Sequence, residues 1–175
     1  GLIDSGLAIN QRRLVKRLAL GLIFSDALAR MALATAPRET SPGAAMALQQ
    51  RYLLMMGQLA GAGEFKPLLQ LLEKAVTDFN ALPVVETETP VVGVIGEIFV
   101  KYNAFSNNDI VEWLIGQGVE VVVPPLLRFF EQRFVNEEYD EKAYLKRSMR
   151  DLVVNRLLDR YVRFYLARVE RVLKG

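Results

Sequence analysis

The residues best suited to chemistry lie between positions 90 and 110, where polar side chains follow an apolar run. Residues 91–95 are mostly β-branched, which predicts a buried parallel strand covered on both faces. Ser106 and Asp109 match a capping box just before the next apolar stretch, which predicts a helix starting there. Ligands of open α/β sheets bind beyond the carboxyl ends of strands, and helix N-termini attract anions. The candidate site residues in this zone are therefore Glu97, Lys101, Tyr102, Asn103, Ser106, Asn107 and Asn108.

Glu97 is the candidate catalytic residue, because a carboxylate at the end of a strand can act as an acid or a base. It could also bind a hydroxyl or amine of a ligand. Two structural alternatives stay open, namely that Glu97 caps a turn or pairs with Lys101. No metal ligands are predicted.

The remaining candidates suit ligand binding. Lys101 and the amides that open the helix at Ser106 could hold a phosphate or the pyrophosphate of coenzyme A. The amides of Asn103, Asn107 and Asn108 could bind polar substrate groups. Side chains of this type more often hold a loop through hydrogen bonds to the backbone.

A second apolar run at 119–123 predicts another strand after the capped helix, so that strand, helix and strand follow one another within about 35 residues. Such a unit makes the two strands parallel neighbours. Gly93 and Gly96 do not form a dinucleotide-binding fingerprint, because the third glycine and its spacing are missing. They are predicted to permit close packing instead.

The rest of the chain has helical periodicity. Helices are predicted over 10–35, from Ser41-Pro42 to the glycines near 61–63, and over 65–81. Residues 84–89 form a short acidic linker, and further helices are predicted over 126–135 and 141–173. The predicted fold is a helix-rich α/β protein with a helical region (1–83), the linker (84–89) and a partial Rossmann- or flavodoxin-like β-α-β domain with long C-terminal helices (90–175).

Composition excludes several classes of function. The 175 residues carry 22 basic and 20 acidic side chains, and a net charge of +2 does not favour nucleic-acid binding. No uninterrupted apolar run approaches the roughly 18 residues that span a bilayer, so no membrane association and a cytoplasmic location are expected. The chain has no cysteine and no histidine, which excludes thiolate-ligated zinc or iron–sulfur sites and cysteine or histidine catalysis within these residues.

The stretch Val-Gly-Val-Ile-Gly-Glu-Ile-Phe-Val-Lys-Tyr-Asn-Ala-Phe-Ser-Asn-Asn-Asp, followed by Gly-Val-Glu-Val-Val-Val-Pro-Pro at 118–125, resembles the 2-hydroxyacyl-CoA dehydratase superfamily. The likeness is greatest to the large activase-related proteins of that group, the CoA-substrate-specific enzyme activases. Ala27-Leu-Ala-Arg-Met and Pro42-Gly43 also resemble the segment upstream of that motif. Where the family tends to show Arg-Pro-Tyr-Glu, this chain has Ala36-Pro-Arg-Glu39.

The resemblance implies a part in ATP-driven, low-potential electron transfer that removes water from a 2-hydroxyacyl thioester in anaerobic metabolism. The cluster cysteines and the ATPase motifs of such proteins are absent here. The iron–sulfur cluster and ATP are therefore implied only for a larger parent protein or its partner, and this chain is expected to hold no cofactor. The chain is interpreted as a fragment or single domain of a larger enzyme, an interpretation with which a start at Gly1 agrees.

Three hypotheses follow. The preferred one is a domain without a cluster that supplies scaffold and part of a site for acyl-CoA or a partner, and that is inactive alone. The second is a stand-alone structural or interaction module, and the third is a small enzyme that uses Glu97. Two parallel strands leave backbone edges and apolar faces uncovered, so either a third strand lies near 84–85 or Phe134, or a homodimer covers the edge.

Overall fold

The computed structural model describes residues 5–60, 64–126, 160, 163–169 and 171–173. The elements in order are α1 (Ser5–Thr35), a short 3-10 helix (Ala36–Arg38), α2 (Ala44–Ala60), α3 (Phe65–Asn80), β1 (Val91–Gly93), α4 (Ile98–Tyr102), α5 (Ile110–Gly116) and β2 (Glu120–Val122). The protein is thus a helix-rich α/β fold with a small parallel sheet. The predicted helix at 126–135 and much of the one at 141–173 lie outside the described residues.

The hydrophobic core lies between α1, α2 and α3, which pack against one another. Buried positions on α1 and α3 recur at intervals of three or four residues, so that each helix presents one apolar stripe. Burial of each large apolar side chain stabilises the fold by about 1.5–3 kcal/mol. The buried core residues are Leu20, Ile23, Phe24, Ala27, Leu28, Ala32, Ala36, Ala45, Tyr52, Met56, Leu68, Leu72, Ala75, Phe79 and Val169.

The buried stripe differs in detail from the predicted one. Leu14 and Leu18 belong to the apolar spacing that predicts the helix over 10–35, but they are 55% and 58% exposed. Tyr52, which the apolar pattern did not include, is among the most buried residues. Its hydroxyl donates a 2.6 Å hydrogen bond to a carboxylate oxygen of Asp78 on α3. A tyrosine can enter the core here because its polar end has a partner.

By length and composition the segment Arg17–Arg38 could cross a membrane, although polar residues interrupt its apolar sequence. A core helix of a soluble protein can meet the same criterion. One third of the apolar window is buried inside the protein, and Leu20, Ile23 and Leu28 of this segment belong to the core.

The two strands are parallel neighbours, and this prediction is confirmed. Val91, Val92 and Gly93 stand opposite Glu120, Val121 and Val122. The predicted burial of the first strand was wrong, since Val91 is 62% exposed and Val92 is 38% exposed. Only β2 has a well-buried residue, Val121, because β2 is the strand that α1 packs against.

The hidden third strand proposed near 84–85 does not join this sheet. Val84 forms an isolated antiparallel bridge with Glu39, and Thr40 N–H donates to the carbonyl of Pro83 at 3.0 Å. Residues 83–85 therefore tie the end of the helical region to the turn before α2. Within the described residues the sheet has two strands, and Phe134 lies outside them.

The C-terminal helical segment packs on the helical core through one face. The ring of Tyr165 lies 4.2 Å from that of Phe65, centre to centre, and Val169 is buried. Phe164 is 56% exposed, and the Arg168 guanidinium lies 5.5 Å from the centre of its ring. Tyr165 is therefore a packing residue of this face, and Phe164 lies at its exposed side.

Replacing Tyr52 with phenylalanine should lower the free energy of unfolding at pH 7 by about 1.5–3 kcal/mol, because Asp78 loses its hydroxyl donor. Burial, and then the hydrogen bond to Asp78, raises the pKa of Tyr52 to about 12 from 10. The protonated tyrosine is therefore favoured in the folded protein, and its contribution is present below pH 10 and lost as the pH rises through 12.

Urea denaturation at pH 7 and pH 11 tests this prediction. The difference in stability between the wild type and Tyr52→Phe should be smaller at pH 11. Tyr102 remains in both proteins, so its own titration cancels in the comparison. An equal difference at both pH values would contradict the assignment.

Candidate functional site

An open cleft of about 740 Å³ lies between the helical region and the connection from β1 to β2. Its walls come from α1 and the 3-10 helix, the start of α2, the 101–109 connection, and α5. The lining residues are Ala29, Leu33, Ala36, Glu39, Pro42, Gly43, Met46, Lys101, Tyr102, Ala104, Asn107, Asp109, Val111, Glu112, Ile115, Gly116 and Val123.

The cleft lies where the strands end. Lys101 and Tyr102 belong to the connection after β1, and Val123 directly follows β2. This is the carboxyl edge of a parallel sheet, where α/β proteins bind ligands. The cleft therefore occupies the zone that the sequence predicted. It takes in three of the seven candidate residues, namely Lys101, Tyr102 and Asn107.

Glu97 does not line the cleft. Its Oε2 atom accepts hydrogen bonds from the N–H groups of Phe99, at 2.8 Å, and Val100, at 3.3 Å. Glu97 is thus the N-cap of α4. Of the alternatives left open for this residue, the geometry supports the capping role.

Asn107 holds the connection in shape from the cleft wall. Its Nδ2 donates to the carbonyls of Val100, at 3.0 Å, and Lys101, at 3.4 Å. Its Oδ1 accepts from Ile110 N–H at 3.3 Å, which satisfies an amide at the start of α5. Both ends of the side-chain amide are therefore used by the backbone.

Asn103 and Asn108 serve the same connection from outside the cleft. The Oδ1 of Asn103 accepts from Ser106 N–H at 3.2 Å. Asn108 has a φ of 52° and Asp109 a φ of 53°, both in the left-handed region. Asn and Asp tolerate this conformation better than other residues with a side chain, because they hydrogen-bond locally.

The predicted capping box at Ser106 and Asp109 was wrong. Helix α5 begins at Ile110, and Asp109 makes no side-chain capping bond. The left-handed residues Asn108 and Asp109 delay the helix, and Asn107 supplies the side-chain acceptor instead. The amides at Ser106 therefore do not open a helix, so the prediction of an anion site with Lys101 loses the helix N-terminus on which it was based.

Tyr102 joins the first connection to the end of β2. Its hydroxyl donates a hydrogen bond to the carbonyl of Pro124. Burial, and then the negative charge of Asp26 on α1, raises the pKa of Tyr102 to about 12. The hydroxyl is therefore protonated at neutral pH and acts as a donor. The ammonium of Lys101 lies 5.1 Å from the centre of the same ring.

Three acidic residues complete the cleft, and the sequence did not single them out as site residues. They are Glu39, Asp109 and Glu112, which with Lys101 give the lining a formal charge of −2. Glu39 is already engaged, because it accepts from the N–H groups of Gly43 and, at 2.6 Å, of Ala45 at the start of α2. The one available signal was its position just before a predicted helix, where acidic side chains are favoured.

The arrangement suits binding more than catalysis. Most of the lining is apolar. Glu39 and Asn107 also line the cleft, but both side chains make hydrogen bonds to the backbone. The described residues contain no group of three His, Cys, Asp or Glu side chains that could hold a metal ion. The cleft can thus take the apolar body of a ligand, with Lys101, Asp109 and Glu112 at hand for its polar end.

Comparison of the chain with protein-family models, with curated proteins and with solved structures found no match.

Substitution of Glu97 separates its capping role from catalysis. Glu97→Ala should lower the free energy of unfolding by about 1 kcal/mol, because two amides of α4 lose their acceptor. Glu97→Gln keeps an acceptor oxygen and should cost less than about half of that. Thermal or urea denaturation of both variants measures the effect.

The same two variants separate capping from catalysis in an activity assay. An acid or base role would make Glu97→Gln as inactive as Glu97→Ala, since neither side chain ionises. A capping role predicts that Glu97→Gln stays active. Full stability of Glu97→Ala would contradict the role assigned to the cap.

Proposed function

We propose that this chain is a supporting domain of a 2-hydroxyacyl-CoA dehydratase-like or activase-like protein, and that the cleft forms one wall of its site for acyl-CoA. The chain is inactive by itself in this proposal. The observation that carries it is the position of the cleft, which lies at the carboxyl edge of the parallel strands within the segment that resembles the family. The β-α-β unit would be part of a Rossmann- or flavodoxin-like domain whose other strands belong to the parent.

The charge of the lining favours one end of an acyl-CoA over the other. Coenzyme A carries several phosphate charges, and a cleft with three carboxylates and one ammonium repels them. An acyl group with a hydroxyl suits the same surface, because Leu33, Val111 and Ile115 supply apolar contacts and the acidic residues accept a hydrogen bond. The acyl end therefore lies in the cleft, and the nucleotide lies outside it.

Two observations favour a structural and not a catalytic role for the chain. The chain holds no cysteine that could ligate a cluster. The best catalytic candidate, Glu97, caps a helix outside the cleft. The iron–sulfur cluster and ATP consequently belong to the parent or to its partner, and this domain contributes shape and orientation.

Exposed aromatic residues favour a second candidate function, an interaction module. Phe99, Phe105 and Trp113 of the β-α-β part are 63%, 92% and 58% exposed. Large exposed apolar side chains that lie close in sequence often mark surfaces that bind another protein. In that case the cleft would be a structural gap, and the exposed side chains would be the functional surface.

A ligand titration distinguishes these two functions. The chain, labelled with ¹⁵N, is titrated with lactoyl-CoA and separately with free coenzyme A. If the acyl end enters the cleft, lactoyl-CoA shifts the amide signals of residues 101–116, and free coenzyme A shifts them less. Ala104→Trp places an indole in the cleft mouth and should weaken lactoyl-CoA binding at least about tenfold, or about 1.4 kcal/mol.

Phe105→Trp is the matched control, because it adds the same indole at the adjacent exposed position outside the cleft. It should leave the affinity within about twofold. The cleft assignment is overturned if neither ligand shifts residues 101–116, or if both variants weaken binding equally.

Metal content tests the assignment to the parent. Anaerobically purified parent protein should contain iron and acid-labile sulfide, while this chain, purified in the same way, should contain neither. The expected difference follows from the absence of cysteine in the chain. Iron in neither protein would remove the dehydratase proposal and favour the interaction module.

A further inference from the structure

The outer edge of β1 is an unpaired strand edge. Glu120 N–H donates to the carbonyl of Pro90 at 2.8 Å, and Val94 N–H donates to the carbonyl of Val122 at 2.9 Å. Residues 90, 92 and 94 therefore point their backbone groups at β2, and 91, 93 and 95 point theirs the other way. In the described part of the chain nothing accepts from or donates to these outward groups.

Natural sheets usually protect such an edge, and β1 lacks the usual devices. No charged side chain occurs between Thr89 and Gly96, so two approaching strands meet no like charges there. Pro90 turns its missing N–H toward β2, where it does not block the outer edge. The nearest charges along the chain are Glu88 and Glu97, and the carboxylate of Glu97 is held by amides of α4. The edge is open to another strand.

The side chains that flank the edge are also uncovered. Val91 belongs to β1, and Ile95 follows two residues after its end at Gly93, where an extended continuation of the strand would place both on one face. They are 62% and 83% exposed, and Phe99 at the next helix is 63% exposed. On the other side of the sheet β2 packs against α1. The β2 side of the sheet thus packs against the helical region, and the β1 side is exposed.

We propose that this edge pairs with the same edge of a second copy of the chain, in antiparallel orientation about Gly93. In this register Gly93 faces Gly93 of the second copy, and Val91 faces Ile95 in both directions. The result is a continuous four-stranded sheet with β1 strands at its centre. The pairing is isologous, so one two-fold axis satisfies both edges at once.

The second copy is the favoured occupant because the edge complements itself. The register joins outward-facing backbone groups to outward-facing backbone groups, and it places the exposed side chains of Val91 and Ile95 opposite each other. Gly93 at the axis has open space around it, which allows the backbones to approach.

The surface available sets the expected affinity. Val91, Ile95 and Phe99 together offer roughly 300–400 Å² of apolar side-chain surface per copy, before the backbone of the strand is added. Specific dimers bury about 800 Å² per partner, and weak ones somewhat less. The interface is therefore at the small end, and a dissociation constant in the micromolar range is expected.

Sedimentation equilibrium of the full chain from about 5 to 300 μM tests the proposal across this micromolar range. The wild type should show a reversible dimer. Ile95→Lys should shift the dissociation constant upward at least tenfold, because two lysines then face apolar partners. Phe105→Lys is the matched control, since it places the same charge on a more exposed apolar position away from the edge. Circular dichroism confirms that each variant is folded.

Cross-linking tests the register directly, because the chain has no cysteine of its own. A Val91→Cys chain mixed with an Ile95→Cys chain should form a disulfide-linked dimer under mild oxidation, since opposite residues lie about 5.5 Å apart. Each variant alone should not, because its two cysteines would lie about 13 Å apart along the strands.

Three results would overturn the proposal. The first is a monomer at all concentrations, which would leave the edge to a strand of a larger protein. The second is a dimer that Ile95→Lys does not weaken, which would place the contact elsewhere. The third is the absence of a cross-link in the mixture. None of these results bears on the cleft, so the proposed acyl-CoA site is tested independently.

Discussion

The small sheet depends on α1, which supports it from the helical side. Val121 of β2 is only 2% exposed because α1 lies against that strand. Beyond the strand, Asp26 on α1 accepts a hydrogen bond from Leu126 N–H at 3.1 Å, across 100 residues of sequence. Two parallel strands alone are unstable in water, so this support decides whether the sheet forms. The cleft lies beside this contact, between α1 and the connection that follows β1.

The helical region and the cleft are linked through the turn before α2. Glu39 accepts from amides at the start of α2 and pairs with Val84 through the backbone. A nitrogen of the Arg38 guanidinium lies 3.8 Å from a carboxylate oxygen of Glu120 on β2, a partly exposed ion pair that adds little to stability. Gly43 has a φ of +85°, a conformation that side chains disfavour, so glycine suits the turn at the cleft mouth.

Periodicity predicted α1, α2 and α3, and the order of strand, helix and strand predicted the parallel pair, because these features depend on local apolar spacing. The short helix α4 was not predicted, because its five residues are too few to show a period. It did not predict the cleft lining, because Glu39, Asp109 and Glu112 come from segments that only the fold brings together. The start of α5 was missed for a different reason. Ser106 and Asp109 have the right spacing for a capping box, but the amides of both residues have other acceptors. Ser106 N–H donates to Asn103 Oδ1 at 3.2 Å, and Asp109 N–H donates to the carbonyl of Ala104 at 2.9 Å. The strand was predicted as buried because β-branched composition cannot tell a covered strand from one that lacks a neighbour.

The polar connection of residues 97–110 follows the exposed strand β1. The side chains of Glu97, Asn103 and Asn107 make hydrogen bonds to the backbone. These bonds hold residues 97–110 in shape without a ligand. The connection held by these bonds presents Lys101 and Asp109 to the cleft on one side. It holds Phe99 outward on the other. Such preorganisation lowers the entropy cost of association at either surface. Glu97, Asn103 and Asn107 thus form no catalytic arrangement, but their hydrogen bonds lower the entropy cost of binding.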